Sequence, residues 1–435
     1  MPDPRAHRRD LAQRQDRTTD QAITDRLRSL TATTPLGLIH LDDEHIAGFA
    51  RATRLAPGEV SGMLLAPLGE RYGPLNPAFT PRTTPTRMIY DNPWVLTRSS
   101  RYCPFCLTGH GDAIQDRHGG AWQRLWRLPV IFLCLRHRRL LSHRCTRCGT
   151  LAQFVRTANS IARLSDDSLH PTQCRFTARS ASHRQPTGAC GADLARPDIS
   201  PGPDPVTMNV LLHVQRELGH LLAAGGPATT MSAGAPVPVA HYFADLRAIV
   251  AMIFRSWPEA RPYASTPVLV AALDAEHAAR AAQAEPLLNS AGKKKTSKPY
   301  TVPPDDSLVT GAVLDIAAQF LGTPDRHEAR ERLAPLVLRL RAADRALSTY
   351  LRRPGWISKQ LRSAVEDEWK GASRRSKPST SSPASSPAEP RTTWPTSTWP
   401  WPPGGASRLS ATPSTAHAKN SASPPEAPPC LGGAP

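Results

Sequence analysis

Seven of the eight cysteines fall between residues 98 and 195, and their spacing sharply limits what that stretch can become. Cys103 and Cys106 form a CxxC, and after 27 intervening residues Cys134 and His137 form a CxxH. Two residues between donors let one tight turn aim both inward, and three thiolates with one imidazole suit the softness and tetrahedral preference of Zn²⁺. Cys145 and Cys148 form a second CxxC, followed directly by Gly149, and leave Cys174 and Cys190 to close a four-cysteine site. Fifteen residues, His183 among them, separate that last pair, and His170 is a further donor nearby. His110, His118 and His143 compete for the first site but lack the paired spacing of His137. Four protein donors fill a zinc shell and leave no open position for water, so two structural Zn²⁺ ions are expected, and no catalytic metal.

That reading needs reduced thiols. The first thirty residues mix arginine with aspartate and hold no apolar stretch of ~7 to 15 residues, so they do not read as a secretory signal. The longest apolar run, Leu128 to Leu135, falls far short of the ~20 residues that cross a bilayer. A cytoplasmic protein with no membrane partner is expected, in a compartment that keeps thiols free for metal.

Fifty-four Lys and Arg against 36 Asp and Glu give a formal charge of +18, which attracts polyanions and puts DNA first among partners. Seven thiolates and two divalent cations change that by −7 and +4, and the chain stays strongly basic. Between Arg98 and Cys148 stand ten arginines and two aspartates. Part of the surplus balances thiolate charge. The remainder makes Arg124, Arg127, Arg136, Arg138, Arg139, Arg144 and Arg147, with Trp122 and Trp126 close by, a candidate phosphate-backbone surface. The competing reading makes the tryptophans core and the arginines a solubilising face.

The fold class expected is mostly α, with a small zinc-ribbon-like module of short β hairpins stapled by two zinc sites and a disordered C-terminal tail. Residues 1–34 are a polar, flexible N-terminus with one helical stretch over 20–30. Residues 35–97 hold a short helical unit and an extended linker. Within that unit Ile46, Phe49 and Ala50, then Val60, Met63 and Leu64, recur at helical spacing on either side of a Pro-Gly turn, as a packing unit or a DNA-reading helix-turn-helix would. The double zinc-finger module occupies 98–195, and a helical region with apolar faces over 208–223 and 240–257 occupies 196–288. A basic linker containing Lys293 to Lys295 spans 289–304. A helical C-terminal domain covers 305–371, with helices over 307–321, 325–351 and 357–370, the first capped by Asp305 or Asp306. Residues 372–435 form a Pro/Ser-rich tail with too little apolar surface to offset ordering. Trp394, Trp399 and Trp401 are unusual in such a tail, which leaves a shifted reading frame as the alternative.

Several of these elements together resemble one family. Tyr102-Cys103-Pro104-Phe105-Cys106, Trp122, Trp126-Arg127-Leu128-Pro129, Cys134-x-x-His137-x-x-Leu140-Leu141 and Cys145-x-x-Cys148-Gly149 occur in the order and spacing of the TniQ family of transposition proteins, related to the TnsD target selectors. Cys190-Gly191-Ala192-Asp193-Leu194 resembles the close of that family's second zinc finger, and Tyr242 to Arg247 its following helix, so the resemblance spans about residues 36 to 350. Leu135 and Thr146 stand where the family usually has proline.

The resemblance implies a non-catalytic target-selection adaptor. Such a protein engages DNA or a guide-RNA effector complex and recruits an AAA+ ATPase that licenses the transposase. A second copy of the chain is a further candidate partner. The residues agree with a non-enzyme: Gly292-Lys293 lacks the glycine spacing of a phosphate loop, and no nucleophile stands with a paired base. A stand-alone zinc-containing transcription regulator, reading DNA through the 42–66 helix pair, is the alternative.

Overall fold

The computed structural model describes residues 39, 41–76, 92–97, 99–109, 111, 113–153, 169–179, 186–196, 201–289, 298–343 and 357–375, all within a unit ending at Pro378. The expected flexible N-terminus, the helix over 20–30 and the tail from 376 lie outside them. In chain order the helices are α1 (Asp43–Thr53), α2 (Pro57–Met63), α3 (Pro104–Leu107), α4 (Ala113–His118), α5 (Pro205–Leu222), α6 (Val239–Ser256), α7 (Pro267–Asn289), α8 (Lys298–Thr301), α9 (Ser307–Leu321), α10 (Arg326–Ala343) and α11 (Lys359–Arg375). Three antiparallel hairpins pair β1 (Leu133–Cys134) with β2 (Arg139–Leu140), β3 (Thr177–Arg179) with β4 (Pro186–Ala189), and β5 (Thr229–Ser232) with β6 (Ala235–Pro238). Helices with short β hairpins are what the sequence predicted.

The first helix pair is built locally. The Asp42 carboxylate accepts the His45 N–H at 2.8 Å and caps α1, and Glu59 accepts the Ala56 N–H at 2.7 Å at the start of α2. Leu41, Ala50, Val60 and Leu64 bury against one another with Ile46, Phe49 and Leu55, a small core distinct from the main one. Met63, expected on that face, is instead 43% exposed.

In the main core α6 is central. Sixteen of its eighteen residues are buried, as a helix with apolar character on every side requires. It packs against α9 and α10, while α9 also meets α5 and α7, and α10 meets α11. The predicted caps are in place at α9, where Asp306 accepts the Val309 N–H at 3.0 Å, and α5 starts on Asp204, which accepts the N–H groups of Val206 and Thr207 at 3.0 Å each. At the β5–β6 turn Ala233 and Gly234 both take positive φ, and their N–H groups donate to the Leu321 and Thr323 carbonyls at 3.0 and 3.1 Å. A side chain at Gly234 would come within 2.3 Å of the Arg326 backbone, so only glycine fits there.

Three expected boundaries shift. Residues 298–304, read as linker, are packed: Trp94 donates its indole N–H to the Thr301 carbonyl at 3.0 Å, and Arg280 reaches the Val302 carbonyl at 2.8 Å. Helix α11 runs four residues past the expected tail boundary at 371. The zinc-finger stretch shares one continuous core with the helices, Cys103, Cys106 and Cys134 included.

Buried polar bonds make that union. The Gln215 side-chain oxygen on α5 accepts the Phe132 and Leu133 N–H groups at 2.8 and 3.0 Å, directly before Cys134. The Ser307 hydroxyl donates to the Leu141 carbonyl at 2.7 Å. Arg101, fully buried, donates to the carbonyls of Pro129 (3.2 Å), Ile131 (2.7 Å), Pro304 (2.7 Å) and Asp305 (3.2 Å) and to the Thr310 hydroxyl (2.7 Å). Burial lowers its pKa to about 10, so it stays charged at neutral pH, helped by the nearby Asp305 and Asp306. Arg101→Met should lower the unfolding free energy by more than about 3 kcal/mol, since it strands several dry acceptors at once. Urea titration measures this.

Asp245 supplies a pH-dependent link. Its carboxylate accepts the Ser232 hydroxyl at 2.6 Å and the Ser358 N–H at 2.7 Å, joining α6 to β5 and to the start of α11. Burial raises its pKa from 3.8 to about 6, against the pull of those hydrogen bonds and of Arg247. The folded state thus holds this proton more tightly than the unfolded one. The stabilisation is complete below 3.8 and is lost at about 1.4 kcal/mol per pH unit as pH rises to about 6. Asp245→Asn, neutral throughout, should show a stability advantage over the parent at pH 7 that shrinks as the pH falls through that window. Denaturation curves at several pH values read it directly.

Candidate metal centres and basic surface

The chain enters the first centre through Tyr102, paired with Ser142 across an isolated bridge, and Cys103 then stands directly before α3. Proline at the first position of α3 starts the turn that carries Cys106 round to the same side. Cys134 ends β1, and His137 sits in the tight hairpin before β2. Gly120 lets the next loop pass close by, because a side chain there would fall 1.8 Å from the Cys106 carbonyl oxygen. The predicted CxxC and CxxH therefore meet.

The distances are those of a coordination shell. His137 Nδ1 lies 3.4, 3.3 and 3.5 Å from the sulfurs of Cys103, Cys106 and Cys134, and Cys106 Sγ lies 3.7 Å from Cys134 Sγ. A tetrahedron with metal–sulfur bonds of ~2.3 Å and a metal–nitrogen bond of ~2.0 to 2.1 Å has sulfur–sulfur edges of ~3.8 Å and sulfur–nitrogen edges of ~3.5 Å. In the second group Cys145 and Cys190 stand 3.9 Å apart, and Cys148 and Cys174 3.8 Å. All four donor atoms in each group lie within 4.8 Å of one another. Two tetrads are thus positioned to bind metal ions, and the donor set fits a closed tetrahedral Zn²⁺ shell in both.

Without metal the sulfurs share protons unequally. The Cys103 thiol donates to Cys134 and, with His137, holds it down to about 4, while Cys103 itself is pushed well up. Burial and the Cys134 charge push Cys106 up to about 11. Burial also works against ionising Cys148, but hydrogen bonds with the Thr150 hydroxyl, 2.8 Å away, and its backbone outweigh this and bring it to about 7. Burial raises both Cys174 and Cys190.

The competing histidines fall elsewhere. His143 lies 3.8 Å from the Asp306 carboxylate, and His170 sits 2.7 Å from the Thr172 hydroxyl. His110 and His183 lie outside the described residues, as does the side chain of His118. Gly149 and Gly191, each just after a metal-donor cysteine, take φ of +67° and +65°, which turns the chain back over the second tetrad.

The arginines separate into two classes. Arg136, Arg138, Arg144 and Arg147 are exposed, with Arg144 donating to the Gly149 carbonyl at 2.9 Å and Arg147 to the Cys190 carbonyl at 3.2 Å. Arg139 is half-buried, its guanidinium 4.6 Å above the Phe105 ring, which in turn lies 5.6 Å from His137. Arg127 is buried and donates to the Thr97 carbonyl at 2.9 Å. Arg124 reaches the Gly62 and Leu64 carbonyls at the end of α2. Arg101, counted from sequence within the surface surplus, is buried as described above. Burial of Arg101 and Arg127 leaves no local sequence signature, because neither stands on a periodic face.

Residues 3–141 match the family model described as TniQ. The chain carries a TniQ family domain. No curated protein and no solved structure matches it. The TniQ match takes in the helix pair and the whole first tetrad and ends at Leu141, so the second tetrad and the helices beyond it lie outside it. The resemblance expected out to about residue 350 is therefore matched over its first part.

Metal-replete protein should hold two divalent ions per chain by elemental analysis, and Cys103→Ser or Cys145→Ser should each leave about one. Because Cys145 and Cys174 lie in the same core as Cys103, Cys106 and Cys134, each substitution should also lower the melting temperature.

Proposed function

We propose that the protein is a non-catalytic target-selection adaptor of DNA transposition: it binds DNA and recruits an AAA+ ATPase that regulates the transposase. The TniQ match carries this reading, because it makes the chain a transposition-associated protein and ends within the stretch that the first tetrad folds. Both tetrads are assigned structural Zn²⁺. The ion, when bound, cross-links loops too short to hold a core, and with four protein donors it presents no open position to a substrate. Cys103, Cys106, Cys134 and His137 would hold one ion, and Cys145, Cys148, Cys174 and Cys190 the other.

DNA contact is assigned to Arg136, Arg138, Arg144 and Arg147, which are exposed. Arg139 supports that face from its place over Phe105. Arg124 and Arg127 are left out, because Arg127 is buried and Arg124 is half-buried against the Gly62 and Leu64 carbonyls. A guide-RNA effector complex would present the same phosphate chemistry. The alternative of a stand-alone regulator reading DNA through the helix pair lacks support in α2, whose seven residues include Glu59 and neither Lys nor Arg.

Four phosphate contacts predict that log Kobs for duplex DNA falls with log salt at a slope near −3.6, at ~0.9 per phosphate. Arg136→Ala with Arg138→Ala should reduce that magnitude by about 1.8 and weaken binding to all sequences alike. A slope unchanged in the double variant removes these two residues from the interface. Genes for a transposase and an AAA+ ATPase beside this one are expected, whereas an isolated gene favours the regulator.

A further inference from the structure

One concave feature has no part in metal binding or in the exposed arginine face. A groove of about 600 Å³ lies between the end of α2, the loop carrying Trp122, and the stretch around the second tetrad. Its apolar lining includes Met63, Trp122 and Pro171. The lining also carries Arg124, Arg127 and Arg175, and among the described residues lining the groove there is no carboxylate.

Some polar atoms here lack a hydrogen-bond partner among the described residues, as do single nitrogen atoms on α6 and α11. Among the described residues, the Nε–H groups of Arg127 and Arg175 have no acceptor and the side-chain oxygen of Gln153 has no donor. A buried donor left without a partner is destabilising, so an occupant that lets these side chains turn and pair would recover part of that cost. Trp122 is held in place: it donates its indole N–H to the Pro171 carbonyl at 3.1 Å and packs 5.9 Å from both Tyr102 and Trp126.

We propose that this groove docks an extended acidic segment of a partner protein, one that presents a carboxylate beside an apolar side chain. The carboxylate answers the guanidinium donors of Arg127 and Arg175, the apolar side chain lies against Met63 and Trp122, and a backbone N–H of the segment answers Gln153. A phosphodiester strand would satisfy the arginines, but its backbone offers no N–H to Gln153 and no aliphatic group to Met63. The proposal deepens the adaptor reading, on which it rests for the partner's role, and it places protein recruitment apart from the exposed arginines assigned to DNA.

The test is selection from a random-peptide display library on full-length, metal-replete protein, with a short single-stranded thymidylate oligomer as competitor. Selected peptides should share Asp or Glu next to a large apolar residue. Arg175→Glu and, separately, Met63→Asp should each weaken a selected peptide by about tenfold or more, while Arg216→Glu, an equal charge change at an exposed position of α5, should leave it unchanged. Met63 is a solvent-facing residue of α2, so its variant keeps the test valid if Arg175→Glu disturbs the neighbouring Cys174 site. Selection without acidic enrichment, equal loss in Arg216→Glu, or displacement by the oligomer would each overturn the proposal, the last in favour of a nucleic-acid groove. Duplex binding by the same variants is measured alongside: its absence in the parent protein counts against the adaptor reading, while peptide selection still stands or falls separately.

Discussion

A guanidinium taken wholly out of water needs a full set of acceptors, and the chain gathers one around Arg101 from three separate places. Pro129 and Ile131 approach from the turn leading into β1, Pro304 and Asp305 from the segment before α9, and Thr310 from α9 itself. No carboxylate is among the hydrogen-bond partners, so the charge is met by carbonyl dipoles, with the Asp305 and Asp306 charges acting from further off. Lysine could not replace it, because one ammonium has three donors and no planar fork to divide between two sides. Since Arg101 lies two residues before Cys103, the first tetrad cannot form in its place unless the segment from 304 to 310 is also in place.

That coupling explains why the metal centres and the helical bundle form one body. Gln215 from α5 and Ser307 from α9 satisfy backbone groups on either side of the β1–β2 hairpin, which a two-residue pairing cannot satisfy by itself. Each tetrad closes a turn with few apolar contacts of its own, and the helices supply the area that so short a hairpin lacks. The second tetrad rests more on local turn geometry: Gly149 and Gly191 reverse the chain, and Cys148 and Cys190 remain only partly buried.

Much of this was legible in the sequence wherever a period or a spacing carried it. The CxxC and CxxH intervals located both tetrads, and the bare elimination that left Cys174 and Cys190 as a pair matches their positions. Helix α9 appears over the residues expected, since a capping Asp306 precedes an unbroken apolar run. Helix α7 had no such mark: it is rich in alanine and charged residues, with no continuous apolar stripe to set its period. The packed stretch 298–304 was hidden because its contacts are side chain to backbone, through Trp94, Arg101 and Arg280, and no residue type in it announces burial. Arg101 and Arg127 were counted as surface charge for the same reason, as composition cannot tell an arginine in water from one enclosed by carbonyls.

The buried polar groups differ in how far they are satisfied. Around the core, Arg101, Gln215, Asp245 and Arg280 each have several partners, and each joins elements distant in sequence. Along the groove beside Trp122, Arg127 uses one donor on Thr97 and leaves Nε–H unmet, Arg175 leaves its own unmet, and Gln153 lacks a donor. A fold able to pair its core arginine five times over has the means to pair these as well. Three such groups line one concavity together with the apolar side chains of Met63 and Trp122, a surface that a partner segment would complete.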